Sequence, residues 1–478
     1  MTLKYLQNLQ SAQDALRANT ISATELVNQF LTNIDKSQEH NHIVEVFKED
    51  AIKYAEALDL DIKDNSNDLK PLFGCVLTIK DNICYKGHKA TAGSKMLDGF
   101  TSNYSATAVD RLIKNGACII GRTNCDEFGM GSTNENSHYG PVLNGADKTK
   151  VSGGSSGGAA VSVQLNCCHV ALGSDTGGSV RQPAAFCDLI GLKPSYGRIS
   201  RWGLISYASS FDQIGIIGHH IDGIAEVLSI ISGPDQKDST AINDPVPKFR
   251  SPDSDSKYKV AYLEKTLDED LLDLPIYNGF RSLIENLSTE MELDGEELSL
   301  LDYLIPCYYI LTTAEASSNL GRYDGIRFGH QSSIQTETYE EKMRLNRTEG
   351  FGLEVKRRIM AGVYVLSEGY FDVYYKKAQQ VRRLIKDEVD SILRRNDILI
   401  LPTTTTGPFD LGDAKLDPIK MYYSDIMTVL ANLTGYPAIS IPFKSQDSVK
   451  TYSIQAIALN GKESILLDFA EKMTGLAH

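Results

Sequence analysis

Positive charge is scarce in this chain. Its 478 residues carry 48 lysines and arginines against 62 aspartates and glutamates, a net charge of −14 at neutral pH. Phosphate backbones are gripped by Lys and Arg, so the chain by itself is no general nucleic-acid binder. One local basic run remains, Lys356-Arg357-Arg358, and its plainer reading is a charged helix face. Long apolar runs are missing as well. No stretch reaches the about 18 residues of a membrane helix, and the N-terminus lacks a signal-peptide core. The expectation is a cytoplasmic protein without membrane contact. Metal-site spacing is also absent: none of the nine histidines and eight cysteines forms HExxH or CxxC, so no metal is expected. The cysteines lie largely in apolar runs and read as buried thiols of a reducing compartment. There is no internal repeat and no heptad array.

What is present is an ordinary globular composition, 42% hydrophobic and 23% charged. Residues 1–60 read as two helices. One begins at the capping box Ser22-Ala23-Thr24-Glu25, followed by Leu26, Val27, Phe30, Leu31 and Ile34 at helical spacing. Residues 61–70 form a polar connection. From 71 to 217, short β-rich runs alternate with loops and helical segments, among them Cys75–Lys80, Ala117–Gly121 and Val170–Leu172. That alternation predicts an α/β sheet with loops gathered at strand ends. Residues 232–257 read as a surface excursion or boundary. Beyond it, Tyr258–Tyr262 and Ile398–Leu401 read as strands, and 350–395 as one or two long helices.

Two serines stand in glycine-rich loops. The first loop is Gly153-Gly154-Ser155-Ser156-Gly157-Gly158, the second Gly173-Ser174-Asp175-Thr176-Gly177-Gly178-Ser179. Glycine beside serine lets the backbone approach a substrate closely. Lys80 ends the earlier apolar run. A Gly/Ser run alone is a linker, but Ala159-Ala160-Val161-Ser162-Val163 follows at once and reads as a buried helix start, which favours an anion or oxyanion site. The first loop also matches G-x-S-x-G, the nucleophile elbow of α/β-hydrolases. That mechanism needs a downstream histidine, and His219, His220, His330 and His478 lie in no recognisable context. A buried lysine can be neutral and act as a base, and a serine hydroxyl can both donate and accept a proton. Lysine, bridging serine and nucleophilic serine can therefore relay a proton without imidazole.

The two loops, continued by Arg181-Gln182-Pro183-Ala184 and Gly191-Leu192-Lys193-Pro194-Ser195, resemble the amidase-signature family. The resemblance implies one amidase domain over 1–478: N-terminal helices at 1–60, a triad-bearing core at 71–217 and a substrate-specificity half at 258–478. The fold it implies is α/β, a large mixed central β-sheet covered by helices on both faces. It also implies a Ser–cis-Ser–Lys triad, with Ser179 the nucleophile, Ser155 the bridging serine after a cis peptide, and Lys80 the base. Backbone N–H groups at Thr176, Gly177, Gly178 and Ser179 would form the oxyanion hole.

Segments of the second half, such as Glu315-Ala316-Ser317-Ser318-Asn319-Leu320 and Ser424-Asp425-Ile426-Met427-Thr428, resemble the glutaminase (A) subunits of tRNA-dependent amidotransferases. That likeness implies glutamine binding by Tyr309, Arg358 and Asp425, with Tyr308 and Arg357 as the competing registers. It further implies a heterotrimer with B and C subunits, and misacylated tRNA held mainly by the partner. No cofactor is expected in this chain; ATP and Mg would be used by the partner. The rival readings are a stand-alone amidase for a small or fatty amide, and a scaffold that has lost activity. The chain departs from the family at Asn144-Gly145-Ala146-Asp147, where Asn-Pro-Trp is usual, at Ser152 in place of proline, and in a short tail after Ile454.

Overall fold

The computed structural model describes residues 1–478 except 65–68, 248, 250–256, 414–421, 445–450 and 477–478. The strands are β1 (Ile43–Val46), β2 (Val76–Lys80), β3 (Cys118–Thr123), β4 (Val170–Asp175), β5 (Ile190–Lys193), β6 (Gln213–Gly218), β7 (Lys259–Leu263), β8 (Glu292–Glu296), β9 (Ile398–Pro402), β10 (Ala438–Lys444) and β11 (Thr451–Ile457). Among the described residues they form one 11-stranded sheet in the order β1-β3-β2-β4-β6-β5-β10-β11-β9-β7-β8. The sheet is mixed: β2 runs parallel to β3 and β4, whereas β4 runs antiparallel to β6 and β10 to β5.

Side-chain alternation explains why both faces are covered. Successive residues of a strand point to opposite faces. In β9, Ile398 and Ile400 enter one core and Leu399 and Leu401 enter another. A strand buried on both faces is largely apolar, and each residue of β2 and β9 is buried, with Thr78 and Lys80 the polar members of β2. The β8 edge differs. Its Glu-Leu-Asp-Gly-Glu sequence is half exposed, and charge on an edge discourages further strand pairing.

The predicted strand runs coincide with β2, β3, β4, β7 and β9. The capping box at Ser22 is present, with Glu25 N–H donating to Ser22 Oγ at 3.0 Å and Ser22 N–H to Glu25 Oε2 at 2.9 Å. Residues 1–60 are more broken than expected. Asn8 accepts from Ser11 N–H at 2.8 Å and so separates a short helix, Leu3–Gln7, from Leu9–Arg17. Between the helices Ala23–Lys36 and Lys48–Lys63, Asn41 takes a left-handed φ of 53° and turns the chain into β1. The span 350–395 holds two helices, Leu353–Leu366 and Lys377–Arg395, with a π turn at Phe371–Lys376. Parts of the polar connection and of the 232–257 excursion lie outside the described residues.

Candidate active site

Parallel pairing brings the three loops together. β2 and β4 lie side by side and run the same way, so Lys80 and Asp175 end neighbouring strands. The second glycine loop leaves β4 there. The first loop leads into the buried helix Gly157–Gln164, and its Ser156 N–H donates to the Ser179 carbonyl at 3.1 Å. Lys80 is fully buried. Its Nζ donates to Ser155 Oγ at 2.7 Å, Ser156 Oγ at 2.9 Å and Ser174 Oγ at 2.9 Å. The Gly154–Ser155 peptide is cis. At Gly154 a Cβ would lie 2.2 Å from Asp126 Oδ2, so no larger residue fits beside Ser155.

Burial lowers the lysine's pKa from its ordinary 10.5, against the opposing pull of Cys125, Asp126, Asp175 and Asp212. Desolvation therefore moves this amine toward the neutral, proton-accepting form. Asp175 shapes the turn that carries Ser179. Burial alone would raise its pKa, but Arg181 beside it holds it well below the usual carboxylate range. Its carboxylate accepts from the N–H groups of Gly178 at 2.9 Å and Val180 at 3.2 Å, and from Arg181 Nε at 3.0 Å. The Gly178 N–H is thus taken by Asp175, a correction to its expected role as an oxyanion donor. Gly178 instead bends the turn, with φ at 124°. The N–H groups of Thr176, Gly177 and Ser179 meet no acceptor among the described residues.

A cradle of opposite charges adjoins this turn. Arg358 is 3% exposed. Its Nε donates to Glu354 Oε1 at 2.8 Å and its Nη1 to the Tyr207 hydroxyl at 2.9 Å. Its third nitrogen, Nη2, is buried without a partner among the described residues. The guanidinium lies 5.2 Å from the Tyr309 ring centroid. The Tyr309 hydroxyl donates to Asp425 Oδ2 at 3.0 Å, and Ser132 Oγ donates to the same oxygen at 2.8 Å. Burial pushes Asp425 up to about 6. Thr428, on the next turn, donates through Oγ1 to the Gly177 carbonyl at 2.6 Å. Arg358 is therefore the inward arginine, and Tyr309 is the tyrosine that meets Asp425, although Tyr308 is buried as well. Tyr308 is packed against Gly177, and Arg357 turns outward with its side chain 45% exposed.

Sequence reasoning missed several groups. Ser174 lies inside a motif already singled out, and Glu354 sits four residues before Arg358, the spacing of a helical ion pair; both were within reach of the sequence. Ser132 and Tyr207 arrive by long-range packing and leave no local signal. Gln182 links the two halves of the site: it accepts from Gly154 N–H at 2.8 Å and donates to the Ser132 carbonyl at 2.7 Å. The nucleophile-elbow alternative finds no histidine. His219 meets the Val163 carbonyl and His330 meets Glu349. Among the described residues no histidine hydrogen-bonds to Ser155 or Ser179. His478 lies outside them. No group of three or more His, Cys, Asp or Glu among the described residues could hold a metal ion.

A buried lysine on two serine loops, set in a large mixed sheet, defines an amidase, and the chain belongs to that family: the amidase profile matches residues 25–467. Over 432 residues the chain is 46% identical to the A subunit of glutamyl-tRNA(Gln) amidotransferase from Chlorobium luteolum, covering 89% of this chain and 88% of that protein. It is 43% identical over 470 residues to the corresponding protein of Legionella pneumophila, covering 97% and 95%. The crystal structure of the Thermotoga maritima counterpart superposes with a TM-score of 0.77 at 33% identity, over 94% of this chain and 90% of that one. The peptide amidase of Stenotrophomonas maltophilia shares the fold, with a TM-score of 0.78 at 24% identity over 98% and 96%.

Proposed function

We propose that this chain is the glutamine-hydrolysing A subunit of a tRNA-dependent amidotransferase. The observation that carries the choice of glutamine is the cradle. Arg358 offers a buried, unpartnered Nη2 to an α-carboxylate. Asp425, joined to it through Tyr309, offers a carboxylate to an α-ammonium. A simple amide has no use for either. The names of the curated relatives support the same reading.

In this reading Ser155 passes its hydroxyl proton to neutral Lys80 and takes the Ser179 proton as Ser179 Oγ attacks the side-chain amide carbonyl. The oxyanion faces the N–H groups of Thr176, Gly177 and Ser179. The proton returns from Lys80 through Ser155 to the leaving nitrogen, the C–N bond breaks, and ammonia departs. A γ-glutamyl ester remains on Ser179, and water, deprotonated by the same relay, hydrolyses it to glutamate. The B and C subunits would complete a heterotrimer in the cytoplasm. The partner would hold most of the misacylated tRNA and use ATP and Mg to activate its carboxylate. The whole of 1–478 would act as one domain, a reading supported by the continuous sheet that joins both halves.

The experiment compares two substrates. Each charge-assisted bond is worth about 1.5–3 kcal/mol, or roughly ten- to more than a hundredfold in kcat/KM. Arg358→Ala and Asp425→Ala are expected to lose that much on glutamine and far less on a simple amide lacking both α-groups. Equal losses on both substrates would return the chain to the stand-alone amidase reading.

A further inference from the structure

Lys80 is surrounded by three hydroxyls, and a neutral amine has two N–H bonds and one lone pair. Which hydroxyl meets the lone pair decides whether the relay works. Ser156 already spends its proton: Ser156 Oγ donates to the Ser174 carbonyl at 3.1 Å. Toward the amine it is therefore an acceptor. Ser174 Oγ receives Asn82 Nδ2–H at 2.9 Å and Lys80 Nζ at 2.9 Å. Ser155 Oγ has no hydrogen-bond partner other than Lys80 among the described residues. Among the described residues neither the Ser155 nor the Ser174 proton meets an acceptor other than the amine, but the Asn82 N–H fixes the rotation of the Ser174 hydroxyl, whereas Ser155 is free to turn its proton onto the lone pair.

We propose that Ser174, steered by Asn82, is a positioning residue: with Ser156 it takes the two N–H bonds of neutral Lys80 and so turns the lone pair onto the Ser155 hydroxyl. Both Ser174 and Asn82 are buried, so water cannot substitute for the missing acceptor. The proposal rests on the Lys80 relay described above and adds to it the group that aims the base. It also explains why the lysine lies at the end of β2: the neighbouring strand β4 presents Ser174 beside it, in the position that precedes Asp175.

The test uses the purified chain with glutamine and with a simple amide. Ser174→Ala leaves one N–H bond with only the long 3.5 Å contact to the carbonyl of residue 174 and loosens the hold on the amine. The expected result is a fall in kcat of about a hundredfold, the scale of a misplaced general base, with KM for glutamine within about twofold. A second readout is the pH profile. A hydroxyl accepting from the amine favours the ammonium, so its removal lowers the lysine's pKa and moves the acid limb of kcat to lower pH. The charged and titratable groups facing Lys80, namely Cys125, Asp126, Asp175 and Asp212, are the same in the variant. Ser174→Thr keeps the hydroxyl and is expected to regain activity to within about tenfold of the wild type. Asn82→Ala, which leaves Ser174 in place, is expected to lose activity in the same direction by a smaller factor. Wild-type kcat in Ser174→Ala, or a loss with an unshifted acid limb that Ser174→Thr shares, would overturn the proposal. Lys80→Ala separates the two layers. If Lys80→Ala is dead and Ser174→Ala is normal, only the positioning role falls; if Lys80→Ala is active, the relay itself falls and the positioning role with it.

Discussion

At the scale of single residues, the site is a set of buried groups whose pKa values are moved from their ordinary range. In the proposed relay Lys80 is the base, so it works only when neutral. Its pKa is lowered chiefly by burial, and activity is lost as pH falls through that value and the amine becomes ammonium. On a simple amide, kcat/KM is therefore expected to rise with pH through a midpoint below the ordinary 10.5. Asp425 adds a second dependence for glutamine alone. Its carboxyl is raised to about 6 by burial, and below that pH it is protonated and cannot pair with an ammonium. KM for glutamine is expected to rise as pH falls through about 6, while KM for the simple amide stays level. Lys80→Arg is expected to be inactive at every pH, because arginine stays protonated; an active Lys80→Arg enzyme would remove the lysine from the mechanism. Lys80, Ser155 and Ser179, the proposed triad, could be singled out in the sequence because the two serines sit in short glycine-rich motifs and the lysine ends an apolar run. The choice between Tyr308 and Tyr309, or Arg357 and Arg358, was not legible there. Adjacent helical residues point about 100° apart, and only the packing of Tyr207, Tyr422 and Asp425 around one of them decides which faces inward.

Elements carry these groups into register. The helix Leu353–Leu366 brings both Glu354 and Arg358 to the cradle, one turn apart, and Tyr422 donates to the same Glu354 oxygen at 2.9 Å. The start of that helix is fixed from outside: Gly352 N–H donates to Glu127 Oε2 at 2.8 Å, and Ser94 donates to the other oxygen of the same carboxylate. Glu127 follows Asp126, whose backbone N–H donates to the Ser155 carbonyl at 3.2 Å. Two consecutive residues thus tie the bridging serine to the helix that carries Arg358. Removing one member of a buried pair leaves an uncompensated charge, at a cost of about 3–5 kcal/mol. Glu354→Ala is expected to show that loss in denaturant unfolding, together with a raised KM for glutamine, because Arg358 is no longer held at Nε. Glu354→Gln, which keeps an acceptor, is expected to be milder on both. A Glu354→Ala protein with wild-type stability and KM would mean that the aromatic rings alone hold Arg358. Strands buried on both faces were readable as apolar runs. The broken N-terminal helices were not, since Asn8 reads as an ordinary polar residue until its cap to Ser11 is seen.

At the scale of the whole molecule, one sheet joins the half that bears the lysine and serines to the half that bears the charged cradle. β5 pairs with β10, so strands separated by more than half the chain lie side by side. Arg181 then reaches from the nucleophile turn to the Thr428 carbonyl at 2.8 Å and to Asn432 Oδ1 at 2.7 Å. That strand order had no local signature in the sequence, because pairing between distant segments depends on the packing of the whole. The proposed division into an acidic glutaminase and a partner that would meet the tRNA, by contrast, is consistent with the net charge of −14. The central claim is that glutamine is cleaved through an ester on Ser179. Rapid mixing of the intact chain with glutamine, an acid quench and whole-protein mass spectrometry test it most directly. The account predicts a single glutamyl adduct during turnover, located on the peptide containing Ser179 and absent from Ser179→Ala. An adduct that persists in Ser179→Ala, or one located on Ser155 or on a cysteine, would contradict it.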